Sequence, residues 1–185
     1  MSAKLINVVL DLETLGLAED AAIIQIGCVV PVFDLEYLPP NISSTFEATI
    51  RYEDCLSSEF SKDSVALKWW ADQKPSVKNI VFSGQETYVD AFDQLTFWLQ
   101  SFCVPVAVWG NGSDFDNRLL AYSLAAYGHH RVWDFRNNRD LRTLRALFPV
   151  TVPADPTEVK HTAIGDALYE ARILDRARNV FDLNL

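Results

Sequence analysis

Three runs rich in β-branched residues fill most of the first 52 residues, with short connections between them. Residues 5–13 (LINVVLDLE), 22–33 (AIIQIGCVVPVF) and 44–52 (STFEATIRY) each read as a strand. The stretch TLGLAEDA supplies the first turn. Parallel neighbours would need a crossover of about a dozen residues or more, so short connections favour antiparallel pairing. The beginning of the chain therefore predicts an antiparallel meander.

The middle turns helical. Ser61 is placed to cap a segment carrying Val65, Leu67, Trp69 and Trp70. A second helix fits residues 76–83, stopped by Gly84. A longer one fits 87–102, where Val89, Phe92, Leu95, Phe97, Trp98 and Leu99 form an apolar stripe near period 3.6. VPVAVW (104–109) reads as a short buried strand. SDFDNRLLAYSLAAYG reads as a helix, with Ser113 as its start and Gly128 as its stop. NRDLRTLRALF is expected to be helical, and the last helix is expected over 162–178 after a loop marked by Pro149, Pro153 and Pro156. Strands, helices, a strand and more helices predict an α/β fold, a mixed sheet with helices against it. With no repeat, low-complexity tract or linker, residues 1–185 are expected to form a single domain.

The composition is 49% hydrophobic, enough for a substantial core. The formal charge is −9. Such a surface repels nucleic acid at long range, and proteins that grip long duplexes are usually basic. A nucleic-acid substrate would therefore be held locally, and a short single-stranded end fits better than a duplex. Cys28, Cys55 and Cys103 are odd in number and scattered, which fits free thiols in a reducing compartment. The N-terminus has no signal-peptide pattern, and no apolar run approaches the roughly 20 residues of a membrane span. The expectation is a soluble cytoplasmic protein, in the host cytoplasm if viral, with no membrane partner.

The chemistry-bearing residues lie far apart in sequence. Asp11 and Glu13 are two apart on the first strand and so share a face, with Leu10 and Leu12 turned the other way. Two neighbouring carboxylates repel unless a cation or proton lies between them. Asp114 and Asp116 would lie about 200° apart on a helix, so one alone can face the same place. Asp116 has Leu119 and Leu120 at i+3 and i+4 and borders the inward stripe. Asp114 has Arg118 at i+4, an exposed ion-pair arrangement. His161 precedes Asp166 by five residues. With Thr162 as N-cap, His161 falls just outside the helix, able to swing over the place Asp166 faces. A histidine there suits general-base work, since it titrates near neutrality. His129 and His130 have no such partner and read as loop residues.

Hard carboxylate oxygens suit Mg²⁺ or Mn²⁺. Two such ions, roughly 4 Å apart, clamp the attacking and leaving oxygens of a phosphodiester. The chain has no Cys/His set at zinc spacing, no P-loop, no dinucleotide glycine pattern and no GxSxG elbow.

The motifs Asp11-Leu12-Glu13-Thr14, Phe115-Asp116 and His161-x4-Asp166 occur in one order over residues 11–166. In this the chain resembles the DEDDh exonucleases of the DnaQ-like, ribonuclease H-like superfamily. Trp69-Trp70 with Gln73, VWGNGSDFDN and Arg139-Asp140-x-Arg142-Thr143 are similar, more narrowly, to phage exonuclease A and related bacterial 3′–5′ exoribonucleases. The resemblance implies a ribonuclease H-like five-stranded sheet, three strands antiparallel and two added in parallel, flanked by helices. It implies dependence on two divalent cations, Mg²⁺ or Mn²⁺, and release of 5′-mononucleotides from single-stranded 3′ ends. Carried over by position, Asp11, Glu13, Asp116 and Asp166 would be the metal ligands and His161 the general base. A homodimer or larger homo-oligomer is expected from the same subgroup.

Substrate contacts are expected from Thr14, Leu15 and Gly16, with Leu15 wedged against the last base and Gly16 letting the backbone approach. Phe115 is a candidate for base stacking. Trp70 and Gln73, one helical turn apart, are candidates for a stacking and hydrogen-bonding pair. Each of these residues also fits ordinary packing or a turn, and one of the two tryptophans must be core. Arg139 and Arg142, read as one turn apart on a helix, fit phosphate contact or a structural ion pair equally, and Asn111 fits the site or a turn. Two rivals stand beside the exonuclease: a binding module of the same fold without catalysis, and a hydrolase restricted to very short oligonucleotides. Nothing in the sequence favours DNA over RNA.

Overall fold

The computed structural model describes residues 5–185. Five strands form one mixed sheet in the order β3-β2-β1-β4-β5. They are β1 (Ile6–Thr14), β2 (Ile23–Val29), β3 (Thr45–Thr49), β4 (Val106–Gly110) and β5 (Asn138–Asp140). β1 runs antiparallel to β2, and β2 to β3, while β4 and β5 add in parallel. The expected ribonuclease H-like α/β arrangement, three antiparallel strands plus two parallel, is what the chain adopts. β1 is central because it is buried on both faces. Ile6, Val8, Leu10 and Leu12 enter one core, and Val9 enters a second on the opposite face.

The helices are α1 (Tyr52–Ser57), α2 (Ser64–Ala71), α3 (Pro75–Val81), α4 (Tyr88–Gln100), α5 (Asp116–Ala126), α6 (Leu141–Leu147) and α7 (Ala163–Phe181). Phe92, Leu95 and Leu99 of α4 and Leu119, Leu120 and Leu124 of α5 pack in the first core. α6 and α7 close the other face with Leu141, Leu144, Ala167, Ala171, Ile173 and Leu174. The buried face of α7 includes Ala163, Gly165, Ala167, Ala171 and Ala177, small residues that let it lie close to the sheet. At Gly27 on β2 a side-chain Cβ would meet the Ala163 backbone at 2.3 Å, so the start of α7 sits where only glycine leaves room. The buried Gln25 fastens the contact. Its Oε1 accepts from the Ala163 N–H at 3.2 Å, and its Nε2 donates to Thr49 Oγ1.

Several local expectations are corrected. The second strand stops at Val29, and a 3₁₀ turn, Val32–Tyr37, follows Pro31, which fixes its own φ and offers no N–H to a ladder. α2 is capped by Asp63, whose carboxylate accepts from the Ala66 N–H at 2.7 Å, rather than by Ser61. Asn138–Asp140 is strand and only Leu141–Leu147 is helix, so Arg139 and Arg142 do not share a helix face. α5 starts at Asp116 rather than Ser113. Among the described residues no helix is long and apolar enough to cross a membrane.

Candidate active site

The site forms where β1 outruns β4. The parallel pairing of these strands ends at Leu10 and Gly110. Beyond it, Asp11 and Glu13 face the side covered by α7, since odd-numbered residues of β1 share that face with Val9. Asp11 lies opposite Gly27 and Glu13 opposite Gln25, the two β2 residues that receive the start of α7. Asp166, in the first turn of α7, is thereby brought to both carboxylates.

Asp116 arrives through the chain leaving β4. At Gly110 a Cβ would lie 2.9 Å from the Asp116 Cβ, so the strand end and helix start are in close approach. Arg142 Nη2 donates to the Asn111 carbonyl at 2.8 Å. Asp140 accepts from the N–H groups of Ser113 and Thr143, both at 2.7 Å, tying this loop to α6. Asn117 Nδ2 donates to the Val108 carbonyl at 2.8 Å. Asp116 is buried, whereas Asp114 is exposed, 3.7 Å from Arg118.

His161 stands just before α7, for which Thr162 is the N-cap: the Thr162 hydroxyl accepts from the Gly165 N–H. Its φ is +63°, left-handed and uncommon outside glycine. Its N–H donates to Asp166 Oδ2 at 2.9 Å, and the Trp69 ring meets the imidazole edge-on at 5.0 Å between centroids. Ligand atoms of Glu13, His161 and Asp166 lie within 4.8 Å of one another.

Burial, joined at Asp11 and Glu13 by the charge of neighbouring acids, shifts every acid of the cluster the same way. Burial, then the charges of Asp116, Glu170, Glu13 and Asp166, hold Asp11 well above the usual carboxylate range. Burial, then Asp166 and Asp116, push Glu13 up to about 8. Burial raises Asp116 to about 7 against the pull of N–H groups from its own backbone, Leu12 and Asn111. Asp166 is raised by burial too, opposed by the His161 N–H and imidazole. A set of converging hard-oxygen donors that cannot all ionise together fits a divalent cation. His129 lies elsewhere, 3.5 Å from Asp93.

Beside Glu13 opens a mainly apolar cavity of about 330 Å³, walled by Leu17, Val65, Trp69 and Phe115. Here three expected contacts change place. Leu15 is fully buried in the core, because the register shifts between Glu13 and Thr14 and turns it inward. Leu17, 71% exposed, takes the open position. Trp70 lends an edge to the cavity but is 3% exposed, with its indole N–H donated to the Thr14 carbonyl at 2.8 Å. Trp69, 42% exposed, presents its ring to the cavity. Gln73 Nε2 donates to the Trp69 carbonyl and lines a second groove beside His161, with Lys74 and Lys160. Thr14 is nearly buried, its hydroxyl donated to the Gly16 carbonyl at 2.6 Å, and Gly16 packs against Ala21 and Asp63. Phe115 sits half-buried on the cavity wall. Arg139 spends its guanidinium on the carbonyls of Arg136 and Asn138.

The residue that sequence reasoning missed is Glu170. It lies four residues beyond Asp166 on the same face of α7 and is 3% exposed. An acid at i+4 from a candidate ligand, flanked by the inward Ala167 and Ala171, was the available signal.

Solved structures share this fold. The chain is similar to a moderately thermophilic Exonuclease I from Methylocaldum szegediense, at 16% identity and TM-score 0.64, covering 95% of this chain and 41% of that one. It thus spans about two fifths of that enzyme's length. It is similar to the nuclease domain of 3′hExo, a DEDDh family member bound to rAMP, at 13% identity and TM-score 0.56, covering 95% and 92%. A third is an Exonuclease I studied with SSB and an inhibitor, at 14% identity and TM-score 0.55, covering 83% and 34%. No curated protein matches the sequence. The family model of the Rv2179c-like 3′–5′ exoribonuclease domain matches residues 6–177, and the chain belongs to that family.

Proposed function

We propose that this chain is a 3′–5′ exonuclease that removes 5′-mononucleotides from single-stranded nucleic acid with two divalent cations, Mg²⁺ or Mn²⁺. The observation that carries the reading is the meeting of Asp11, Glu13, Asp116, Asp166 and His161 from β1, α5 and the start of α7. Asp11, Glu13, Asp116 and Asp166 would hold the ions, which supply Lewis-acid polarisation of the phosphodiester and acidify the attacking water. His161 takes that water's proton. Its place outside the helix, exposed and braced by Trp69, lets it pass the proton on to solvent.

The apolar cavity next to Glu13 suits the terminal base, stacked between Trp69 and Phe115 with Leu17 at its mouth. The groove with Lys74 and Lys160 supplies local positive charge on a chain of net −9, a favourable way out for the strand leaving the site. This favours a short single-stranded end over a duplex. On the same reading residues 1–185 work as one catalytic domain, and the narrower likeness to phage exonuclease A suggests a homodimer or larger assembly.

The test is digestion of matched single strands of RNA and DNA, labelled at the 3′ or the 5′ end, with Mn²⁺. The expected result is early release of labelled mononucleotide from the 3′ end only, absent for Asp11→Asn. Release from the 5′ label first, or equal release by the variant, would overturn the reading.

A further inference from the structure

Glu170 is buried beside the four candidate ligands, yet its own partners do not satisfy it. Arg145 and the Asn111 side chain favour its charged form, against the larger effects of burial and of Asp116 and Asp166. Oε2 is fully buried and has no hydrogen-bond partner. A buried carboxylate oxygen left unpaired is costly, and native proteins keep few of them without a bound water, ion or functional reason. A glutamine or leucine would fill the same volume on α7 at less expense.

The direction of its influence locates it. Its charge acts on Asp11, and those of Asp116 and Asp166 act on it. Glu13 feels Asp166 and Asp116 without a comparable effect from Glu170. Glu170 lies one turn beyond Asp166 on the buried face of α7, and so belongs to the cluster of Asp11, Asp116 and Asp166. The loop that delivers Asp116 is fixed by Arg142 at the Asn111 carbonyl, and the Asn111 side chain favours the charged form of Glu170, so both carboxylates border this loop.

We propose that Glu170 is a fifth carboxylate of the metal centre, a positioning residue whose Oε2 accepts a hydrogen bond from a water of the ion that Asp11 and Asp116 hold. The inference rests on the cation reading of the site. It gives the orphaned oxygen a donor and the buried charge a counter-charge. Groups behind the direct ligands orient them, and their loss commonly weakens metal binding about 10–100-fold.

The test is a Mn²⁺ titration of the metal-stripped full chain, followed by the electron paramagnetic resonance of free Mn²⁺, for wild type, Glu170→Gln and Glu170→Asp. Melting temperatures are taken with and without Mn²⁺. The expected result for Glu170→Gln is about tenfold or greater weakening of one Mn²⁺ site, with a metal-free melting temperature equal to or above wild type. Glu170→Asp, which keeps the charge, should recover part of the affinity. Equal affinity and stoichiometry in wild type and Glu170→Gln would overturn the proposal. So would a lower metal-free melting temperature with unchanged Mn²⁺ affinity, which marks a purely structural carboxylate. Glu170→Asp binding no more tightly than Glu170→Gln would also overturn it. If the titrations separate as expected but wild type releases no mononucleotide, the nuclease reading fails alone. If wild type degrades RNA while the affinities coincide, this inference fails alone.

Discussion

One face of β1 carries polar side chains at both ends, with the buried Val9 between them. At the beginning of the strand, Asn7 donates its N–H and its Nδ2 to Asp34 Oδ2 at 2.7 and 2.8 Å, and its Oδ1 accepts from Trp109 Nε1 at 2.8 Å. At the far end Asp11 and Glu13 meet Asp116, Asp166 and Glu170, acids facing acids. The first cluster is a network of donors matched to acceptors, which rigidifies the strand and the 3₁₀ turn packed against it. In the second, burial outweighs the nearby charges of Arg142, Arg145, His161 and Lys160, and every carboxyl is raised. Both ends are polar, the first buried and the second half-buried; satisfaction separates them, and the unsatisfied end is where a ligand has something to contribute.

Exchanging parts at the two ends should have opposite consequences. Asp11→Asn should lower nucleotide release by about 10³-fold or more, several kcal/mol of transition-state stabilisation, while raising the metal-free melting temperature. A rate assay and a thermal melt on the same sample check both signs. His161→Ala should keep Mn²⁺ binding and lose about 10²- to 10⁴-fold in turnover. Loss of Mn²⁺ affinity as large as in Asp166→Ala would make His161 a ligand instead. Trp69→Ala should weaken oligonucleotide binding by about 1–3 kcal/mol, read as a rise in KM. At the satisfied end, Asn7→Ala should cost about 1–3 kcal/mol in denaturant unfolding, because Trp109 Nε1 loses its acceptor and Asp34 one of its donors, with activity per folded molecule unchanged. A change of activity there, or of stability in the wrong direction at Asp11, would break the contrast.

The sheet and the carboxylates were legible because they rest on long or redundant signals. The alternation along β1 declared two faces. Leu119 and Leu120 told Asp116 from Asp114, and Thr162 set His161 outside α7. Short or coupled features were not legible. β5 is three residues, too few for periodicity, and it runs straight into α6. Neighbours on an α-helix point about 100° apart, so the pair Trp69-Trp70 declares one core ring without saying which. The irregularity after Glu13 turns Leu15 inward, and Leu17, in the bend beyond the strand, is left at the surface. Glu170 was missed because an acid within a helix reads as solvated until the helix is seen lying on the site.

The most direct test is thermal melting of the metal-stripped protein between pH 5 and 8, with and without Mn²⁺. Folded Glu13 and Glu170 titrate near 8 and Asp116 near 7, chiefly through burial, against about 4 in the unfolded chain. Between those values the folded state binds more protons than the unfolded one, so stability falls as pH rises. The expected result is a melting temperature that drops from pH 5 to 8 without metal and recovers at pH 8 when Mn²⁺ is added. A flat metal-free profile together with no response to Mn²⁺ would contradict a cation site built from opposed carboxylates.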